Sequence, residues 1–359
     1  MADGPGGTQF GTRLSAMCSL PTTFESTGDL ARLPWFDIVD GRLVLDPDVG
    51  PTVDMHAHLA LSYLRRPSID LNRASERPLT YLPFDAPMDL DIYANRNLDG
   101  AAMAAMKTDL TRDSLGPSGL RASHTIPNLR RAMADLGVRT TVLHAIDMPA
   151  GLSRNAATWL TATADIDELV VFGSVHPLTR RREAALDAQR ANGARGIKLH
   201  PAVQLVHPSG PRSLRLYRAC GVRNLPVFFH CGPVDIETRV GRRLSQVVKY
   251  ERAVAECPDT TFILGHSGAL QFDVALRLAR EYPNVWLELA SQPLSVVRRA
   301  IAEGPTSRVM FGSDWPFYPQ AMGLAKVLLA TENDAAARTR VLRGNATTLL
   351  RGGTLATGE

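Results

Sequence analysis

Short apolar segments alternate with longer amphipathic segments along the chain, from residue 52 to about residue 350. The apolar segments are rich in β-branched and aromatic residues, which are typical of buried strands. After the second segment, successive segments begin roughly 25 to 35 residues apart, which is the length of one βα unit. The pattern predicts eight strands: TVDMHAH (52–58), RTTVLHAID (139–147), LVVFGSVHP (169–177), RGIKLHP (195–201), LPVFFHCG (225–232), TFILGHSG (261–268), NVWLELA (284–290) and RVMFGSDWP (308–316).

The segments between these strands have the pattern of helices. In LTRRREAALDAQRANG (178–193) and ALQFDVALRLAREYP (269–283), apolar residues recur at three- and four-residue spacing, and each segment ends at Gly or Pro. Eight βα units match a closed barrel, whose usual length is about 250 residues. We therefore predict an α/β chain that folds as a (β/α)8 TIM barrel over residues 51–352, followed by a short tail at 353–359.

Two regions lie outside the repeating pattern. Residues 1–50 are predicted to form a loose tail and then a β-hairpin, because FDIVDGRLVL places two apolar runs on either side of Asp40-Gly41. Residues 60–123 form a long insertion after the first strand. This insertion leaves the carboxyl end of the strand, where barrel active sites lie, so we predict a lid or pocket wall. The alternative is a surface insertion that the fold tolerates.

Composition excludes several classes of protein. The chain has 359 residues, is 45% hydrophobic and carries a formal charge of +4. No run of five or six basic residues offers a surface for nucleic acid, and no apolar run of 18 residues suggests a membrane span. The four cysteines form no CxxC pair or disulfide framework, which favours a reduced, cytoplasmic protein.

Histidine and aspartate residues recur at the carboxyl ends of the predicted strands. His56 and His58 are two apart on the first strand, so both side chains lie on one face, about 7 Å apart at Cα. With His230 and Asp314 they would form a three-histidine, one-carboxylate shell, while His266 ends the sixth strand. A lone histidine at a strand end is usually structural, but several in order at one barrel face indicate a metal site. We predict one divalent ion, Zn²⁺ first and Mn²⁺ or Fe²⁺ as alternatives.

The order of motifs resembles the amidohydrolase superfamily, and within it the amidohydrolase-2 group that includes aminocarboxymuconate-semialdehyde decarboxylase and its relatives. The resemblance covers roughly residues 52–350. It depends on DMHAH (54–58), GIKLHP (196–201), FFHCG (228–232), LGHSG (264–268), MFGSDWPF (310–317) and RGNATTLL (343–350).

The resemblance implies roles for the candidate residues. His56, His58, His230 and Asp314 would bind the metal, and Asp314 would also take a proton from the attacking water. His266 would donate a proton or orient that water. Lys198 lies near the position of a lysine that bridges two metals in binuclear relatives, whereas the amidohydrolase-2 group usually has one metal; His200 lines the pocket or is structural.

Other polar residues remain open between a functional and a structural role. Asp54 is either a partner that fixes a histidine tautomer or a strand-start residue. His144 and His176 point either toward the substrate or into the core. Arg65, Arg66 and Arg96 of the insertion are weak candidates for binding a substrate carboxylate, because arginine is usually exposed to solvent. Loop or packing roles are expected for His124, His207 and Cys231.

The implied reaction is metal-dependent hydrolysis of a C–N or C–O bond in a small molecule, such as an amide or a lactone. The same ligands also serve non-oxidative decarboxylation of an aromatic or muconate-like acid, as in relatives of this group. A barrel retained only for binding is a third interpretation. The expected partner is a small-molecule substrate, with a homodimer as a further expectation.

Overall fold

The eight predicted strands form one parallel sheet in the computed structural model, which describes residues 20–76 and 78–352. Neighbours in the sheet are also neighbours in the chain, as the barrel prediction requires. The predicted (β/α)8 barrel is therefore confirmed. The strands are β1 (Thr52–Ala57), β2 (Val138–His144), β3 (Leu169–Gly173), β4 (Gly196–Leu199), β5 (Val227–His230), β6 (Phe262–Gly265), β7 (Val285–Glu288) and β8 (Val309–Met310).

Backbone hydrogen bonds join the first strand to the last and so close the barrel. A parallel bridge pairs Ala57 with Trp315, just beyond the end of β8. The seam continues through residues that flank the predicted metal ligands. Its bonds run from Met55 N to Phe311 O at 3.0 Å, from Asp314 N to His56 O at 2.8 Å, and from His58 N to Trp315 O at 2.7 Å.

Helices follow the strands on the outside of the barrel. Both helices predicted in detail are present, as Arg182–Ala191 and Phe272–Glu281. The helices are α1 (Gly100–Leu110), α2 (Ile126–Asp135), α3 (Asn155–Ala162), α4 (Arg182–Ala191), α5 (Pro201–Gln204), α6 (Pro211–Gly221), α7 (Arg239–Ser245), α8 (Glu251–Glu256), α9 (Phe272–Glu281), α10 (Leu294–Glu303), α11 (Gln320–Ala330), α12 (Ala335–Thr339) and α13 (Asn345–Leu350).

Apolar side chains from the strands fill the barrel below the polar residues. This interior cluster includes Phe172, Phe228, Trp286 and Met310, and α13 packs against it through Leu349. The polar groups at the carboxyl ends of the strands therefore stand on a packed floor. No helix among residues 20–76 and 78–352 has both the length and the apolar content needed to cross a membrane.

The predicted hairpin is confirmed next to the barrel. Strands Phe36–Val39 and Arg42–Leu45 pair antiparallel, and Asp40 and Gly41 adopt φ values of 50° and 72°, as a tight two-residue turn requires. Arg42 contacts Asp135 of α2 at 2.8 Å, so the hairpin flanks the barrel. The loose tail predicted for residues 1–30 is wrong for its described part, because Thr23–Phe24 form a short strand and Thr27–Arg32 a 3₁₀ helix with Leu30 buried. Residues 1–19 and the predicted tail at 353–359 lie outside the described residues.

The insertion lies against the loops that follow three barrel strands. Its backbone N–H groups at Tyr81 and Leu82 donate to Pro316 and Phe317 after β8, at 3.0 Å each. A two-residue strand at Met88–Asp89 pairs with Thr23–Phe24, and α1 lies farther along the insertion. The insertion therefore contacts the carboxyl face of the barrel, the face predicted from its point of departure.

A test of this packing uses Gly232, in the loop after β5. Its φ is +89°, and a Cβ there would lie 1.9 Å from the carbonyl oxygen of Gly268, in the loop after β6. We expect Gly232→Ala to lower the free energy of unfolding by about 3 kcal/mol or more, from backbone strain plus this collision. Denaturant titration measures the loss.

Gly193 provides the matched control, because its φ is +96° but nothing lies within 4 Å of a Cβ at that position. Gly193→Ala should carry only the strain of the left-handed backbone, about 1 to 2 kcal/mol. Equal losses in the two variants would contradict the close contact between the β5 and β6 loops.

Candidate metal centre

Three side chains from different strands converge at the carboxyl face. One ligand atom from each of His56, His266 and Asp314 lies within 4.8 Å of the other two, and all three residues are buried. His56 lies in β1, and His266 and Asp314 follow β6 and β8, so only the closed barrel brings the three residues together. His56 and Asp314 belong to the ligand set predicted from the sequence, whereas His266 was predicted beside the metal and not as a ligand. The predicted ligands His58 and His230 lie outside this group of three.

His56 and His58 direct the same ring atom toward Asp314. The Nε2 atom of each histidine lies 3.5 Å from Oδ1 of Asp314. Ligand atoms about 3.3 Å apart are what a tetrahedral ion requires when it is about 2.0 Å from each. The spacing therefore fits two nitrogen ligands and one oxygen ligand around a single divalent ion.

The opposite ring nitrogen of each histidine is held by an acceptor. Nδ1 of His56 donates to Glu288 Oε2 at 3.0 Å, and Nδ1 of His58 donates to the carbonyl of His144 at 2.8 Å. Nδ1 of His266 lies 3.3 Å from the carbonyl of Ala290. A donor at Nδ1 leaves the lone pair on Nε2, so these partners favour the tautomer in which the Nε2 atoms of His56 and His58 can bind a metal.

His230 and His200 lie on the other side of His266. Nδ1 of His230 is 3.1 Å from Nε2 of His266, which places His230 next to the group of three. The ring of His200 stacks on that of His230, with centroids 3.9 Å apart. Nδ1 of His200 is buried and has no hydrogen-bond partner among the described residues. His230, which was predicted as a metal ligand, and His200, which was predicted as a pocket residue, therefore both border the group of three.

Burial keeps the histidines of the site uncharged. It lowers the pKa of His56 and His230 well below the ordinary value of 6.5, lowers that of His58, and lowers that of His266 to about 4. Removal from water disfavours the charged imidazolium, which is the cause of each shift. At neutral pH the rings therefore have free lone pairs, which a metal needs.

Glu288 is a buried carboxylate that the sequence interpretation missed. Burial raises its pKa to about 8, although backbone N–H groups of His266 and Ala290 donate to it at 3.0 and 2.5 Å. A Cβ at Gly312 would lie 2.0 Å from its Oε1, so only glycine leaves room for this carboxylate. A single acidic residue at the end of the apolar strand VWLE was the available signal.

Lys198 contacts the site directly. Its Nζ is 3.2 Å from Nε2 of His56 and 4.2 Å from the centroid of the Phe228 ring. Complete burial lowers its pKa to about 7. Lys198 therefore lies beside the ring nitrogen of His56 that would bind a metal, so it borders the site as its place in GIKLHP suggested.

Asp54 stabilises the closure of the barrel and does not contact a histidine ring. It accepts hydrogen bonds from Ser313 N at 2.9 Å, Ser313 Oγ at 2.6 Å and Gln320 Nε2 at 2.8 Å. It also accepts one from the backbone N–H of His56, at 3.1 Å. The acceptor that fixes the His56 ring is Glu288, so Asp54 acts on the backbones that carry His56 and Asp314.

Three candidate histidines have backbone carbonyls as partners. Nε2 of His144 and of His176 lie 2.7 and 3.1 Å from the carbonyls of Met55 and Gln204, which gives both rings a structural partner. Nε2 of His124 lies 2.9 Å from Leu79 O.

Some of the remaining candidates are exposed, and one is packed in the core. Arg65 is exposed and donates to Leu115 O. The other exposed candidates are Arg66, Arg96 and His207, whereas Cys231 is buried in the core as expected.

Comparisons with known proteins identify the family. A family model described as Amidohydrolase (Amidohydro_2) matches residues 53–352. A search of curated proteins gave no match.

Solved structures support the fold at low identity. An uncharacterized TIM-barrel protein from Bordetella bronchiseptica has a TM-score of 0.57 at 16% identity, covering 84% of this chain and 99% of that chain. A probable 2-pyrone-4,6-dicarboxylic acid hydrolase from Acinetobacter baumannii has a TM-score of 0.53 at 15% identity, covering 84% and 99%. A 2,6-dihydroxybenzoate decarboxylase from Rhizobium has 0.53 at 15% identity, covering 83% and 99%. Since the family model spans nearly the whole barrel, the chain belongs to the amidohydrolase-2 family.

Proposed function

We propose that this chain is a metal-dependent hydrolase that cleaves a C–N or C–O bond of a small molecule of the amide or lactone type. His56, His58, His230 and Asp314 hold one divalent ion, and His266 lies beside it. Zn²⁺ suits nitrogen ligands with one carboxylate, and Mn²⁺ or Fe²⁺ are the alternatives. The observation that carries the proposal is the pair of Nε2 atoms, each 3.5 Å from Asp314 Oδ1, with both Nδ1 atoms held by acceptors.

A divalent ion in such a site lowers the pKa of a water molecule toward neutrality and polarises a substrate carbonyl. Asp314 accepts the proton of the attacking water, since a carboxylate beside the ligands is well placed as a base. Asp314 then passes this proton to the leaving group, directly or through His266, and the uncharged His266 ring stabilises developing charge. Glu288 holds the His56 ring, and Lys198 stays as a pocket residue or, in the alternative with two ions, a bridge.

Hydrolysis is placed first because the candidate arginines of the insertion do not lie in the buried site. The family resemblance implies an arginine that grips the substrate carboxylate in decarboxylases, and arginine forms paired charge-assisted hydrogen bonds with carboxylates. Arg65, Arg66 and Arg96 are exposed, and the buried Arg121 donates to the carbonyls of Leu61 and Asp113 at 2.7 and 2.9 Å. These cations are therefore not arranged to bind an acid, which supports an uncharged amide or lactone.

Decarboxylation is the second candidate, because a structural neighbour with a TM-score of 0.53 is a 2,6-dihydroxybenzoate decarboxylase. The same ligands serve both reactions. A small-molecule substrate, a cytoplasmic location and a homodimer complete the proposal.

One prediction for the metal site concerns Glu288, the hydrogen-bond partner of the His56 ring. Glu288→Gln places an amide NH₂ against N–H donors of His266, Ala290 or His56, so the His56 ring loses its fixed orientation. We expect Zn²⁺ affinity to fall about 10- to 100-fold while the fold is kept. Competition with a chromogenic chelator measures the dissociation constant.

Two variants bracket this effect. His56→Ala should abolish stoichiometric metal in elemental measurements, whereas Glu281→Gln, an exposed glutamate paired with Arg277, should leave affinity unchanged. Full metal content in His56→Ala would refute the ligand assignment.

A second prediction concerns the base. Asp314→Asn removes the proton acceptor, so we expect kcat to fall by about 10²- to 10⁴-fold when assayed at saturating metal. Asp273→Asn, an exposed aspartate paired with Arg299, is the matched control. Near-normal turnover of the metal-loaded Asp314→Asn protein would rule out this role.

A third prediction separates the two reactions. A panel of lactones and amides is incubated with the enzyme in H₂¹⁸O, and a panel of aromatic and muconate-like acids in D₂O. Hydrolysis incorporates one ¹⁸O into the product, and decarboxylation releases CO₂ and leaves deuterium on the former carboxyl-bearing carbon. We expect the first result, measured by mass spectrometry; CO₂ release without ¹⁸O incorporation would establish the lyase instead.

A further inference from the structure

The two oxygens of the Asp314 carboxylate have different surroundings. Oδ1 lies 3.5 Å from the Nε2 atoms of both His56 and His58. Oδ2 lies 3.5 Å from the hydroxyl of Ser291, which is oriented to donate to it across a distance longer than the usual range of about 2.5–3.0 Å of an O–H···O hydrogen bond. A hydroxyl on one oxygen restricts rotation of the carboxylate, and so determines which oxygen faces the histidines.

Ser291 is held in an unusual backbone conformation three residues beyond the end of β7. Its φ is +67°, in the left-handed region that residues other than glycine rarely adopt. The residue is buried, with 7% of its surface exposed. Backbone strain in a non-glycine residue at the mouth of a barrel is retained only when neighbouring contacts fix it, and such residues cluster at functional sites.

Hydrogen bonds from the insertion hold the segment that contains Ser291. The N–H of Ala94 donates to the Ser291 carbonyl at 2.9 Å. Two more bonds hold the same segment, from Leu294 N to Leu90 O at 2.8 Å and from Ser295 N to Asp91 Oδ1 at 2.6 Å. Segment 90–94 of the insertion is therefore docked on the loop that carries Ser291.

Two tyrosines from different segments contact the hydroxyl of Ser291. The Ser291 side chain hydrogen-bonds both Tyr93, from the insertion, and Tyr318, from the loop after β8. Both tyrosines are buried and lie close enough to Asp314 for its charge to raise their pKa, after the larger effect of burial. Ser291 is thus the shared contact of the insertion, the β8 loop and the carboxylate.

We propose that Ser291 is a positioning residue that holds Asp314 through Oδ2, so that Oδ1 stays directed at the metal-binding histidines, and that it connects this orientation to the docked insertion. The inference rests on the proposed metal site. The inference does not depend on the identity of the substrate, because all the contacts on which it rests are between residues of this chain.

The test compares three variants that differ in hydroxyl and backbone strain. Ser291→Ala removes the hydroxyl, and Ser291→Gly removes the hydroxyl while relieving the φ of +67°. Asn224→Gly is the matched control, since Asn224 is an exposed residue with a φ of +52° before β5. Each protein is measured for Zn²⁺ affinity by chelator competition, for the visible spectrum of its Co²⁺ form, and for its melting temperature without metal.

Positioning predicts a change in the metal site without loss of stability. We expect both Ser291 variants to bind Zn²⁺ about 10-fold more weakly or worse and to change the Co²⁺ spectrum, while Ser291→Gly melts no lower than the wild type. Asn224→Gly should keep wild-type affinity and spectrum.

Two other outcomes overturn the inference in distinguishable ways. If the wild type binds Zn²⁺ tightly and the Ser291 variants match its affinity and spectrum, Ser291 has only a structural role, even where the melting temperature falls. If the wild type itself binds neither Zn²⁺ nor Co²⁺ stoichiometrically, the proposed function fails and the positioning role fails with it.

Discussion

The closure of the barrel between β1 and the segment after β8 is the constraint on which the site depends. The same backbone bonds that join these two segments bring Asp314 next to His56 and His58, since Asp314 N donates to His56 O at 2.8 Å. Asp54 strengthens the seam from its outer side through Ser313. His56, His58 and Asp314 are therefore placed by backbone hydrogen bonds along this seam, which favours a fixed geometry.

Burial then decides the charge state of the assembled site. The same removal from water that lowers the pKa of the histidines raises the pKa of Glu288 to about 8 and lowers that of Lys198 to about 7. Each shift favours the uncharged form of its group. Burial therefore lets several titratable groups share one volume by favouring their uncharged forms. A divalent cation bound here would favour the negatively charged form of Glu288, next to the carboxylate of Asp314.

The sequence predicted the strands well because their signal is local and repeated. All eight apolar segments became strands in chain order, and the Asp-Gly turn placed the hairpin. Glu288 was missed because a glutamate in an apolar strand has no local signal for its partner, which is 232 residues away in the chain. The partners of His144 and His176 are backbone carbonyls of other segments, which no sequence pattern locates. A register irregularity of β1 between Asp54 and Ala57, directly at His56, was equally invisible.

Backbone strain is concentrated where the site is built. His266, Ser291 and Asp314 have φ values of 55°, 67° and 61°, and they lie in the loops after β6, β7 and β8. Each such conformation costs on the order of 1 to 3 kcal/mol and persists only when its surroundings fix it.

The surroundings are visible in each case. His266 donates its N–H to Glu288, Ser291 accepts from Ala94 of the insertion, and Asp314 donates to His56. Because all of these partners belong to the protein, the loops are held without help from a ligand. The binding energy of a metal ion at this site would then not be consumed in ordering the loops, which is the advantage of a preorganised site. The long insertion contributes to this preorganisation. Its contact with Ser291 helps to fix a strained loop, so the insertion supports the site in addition to covering it.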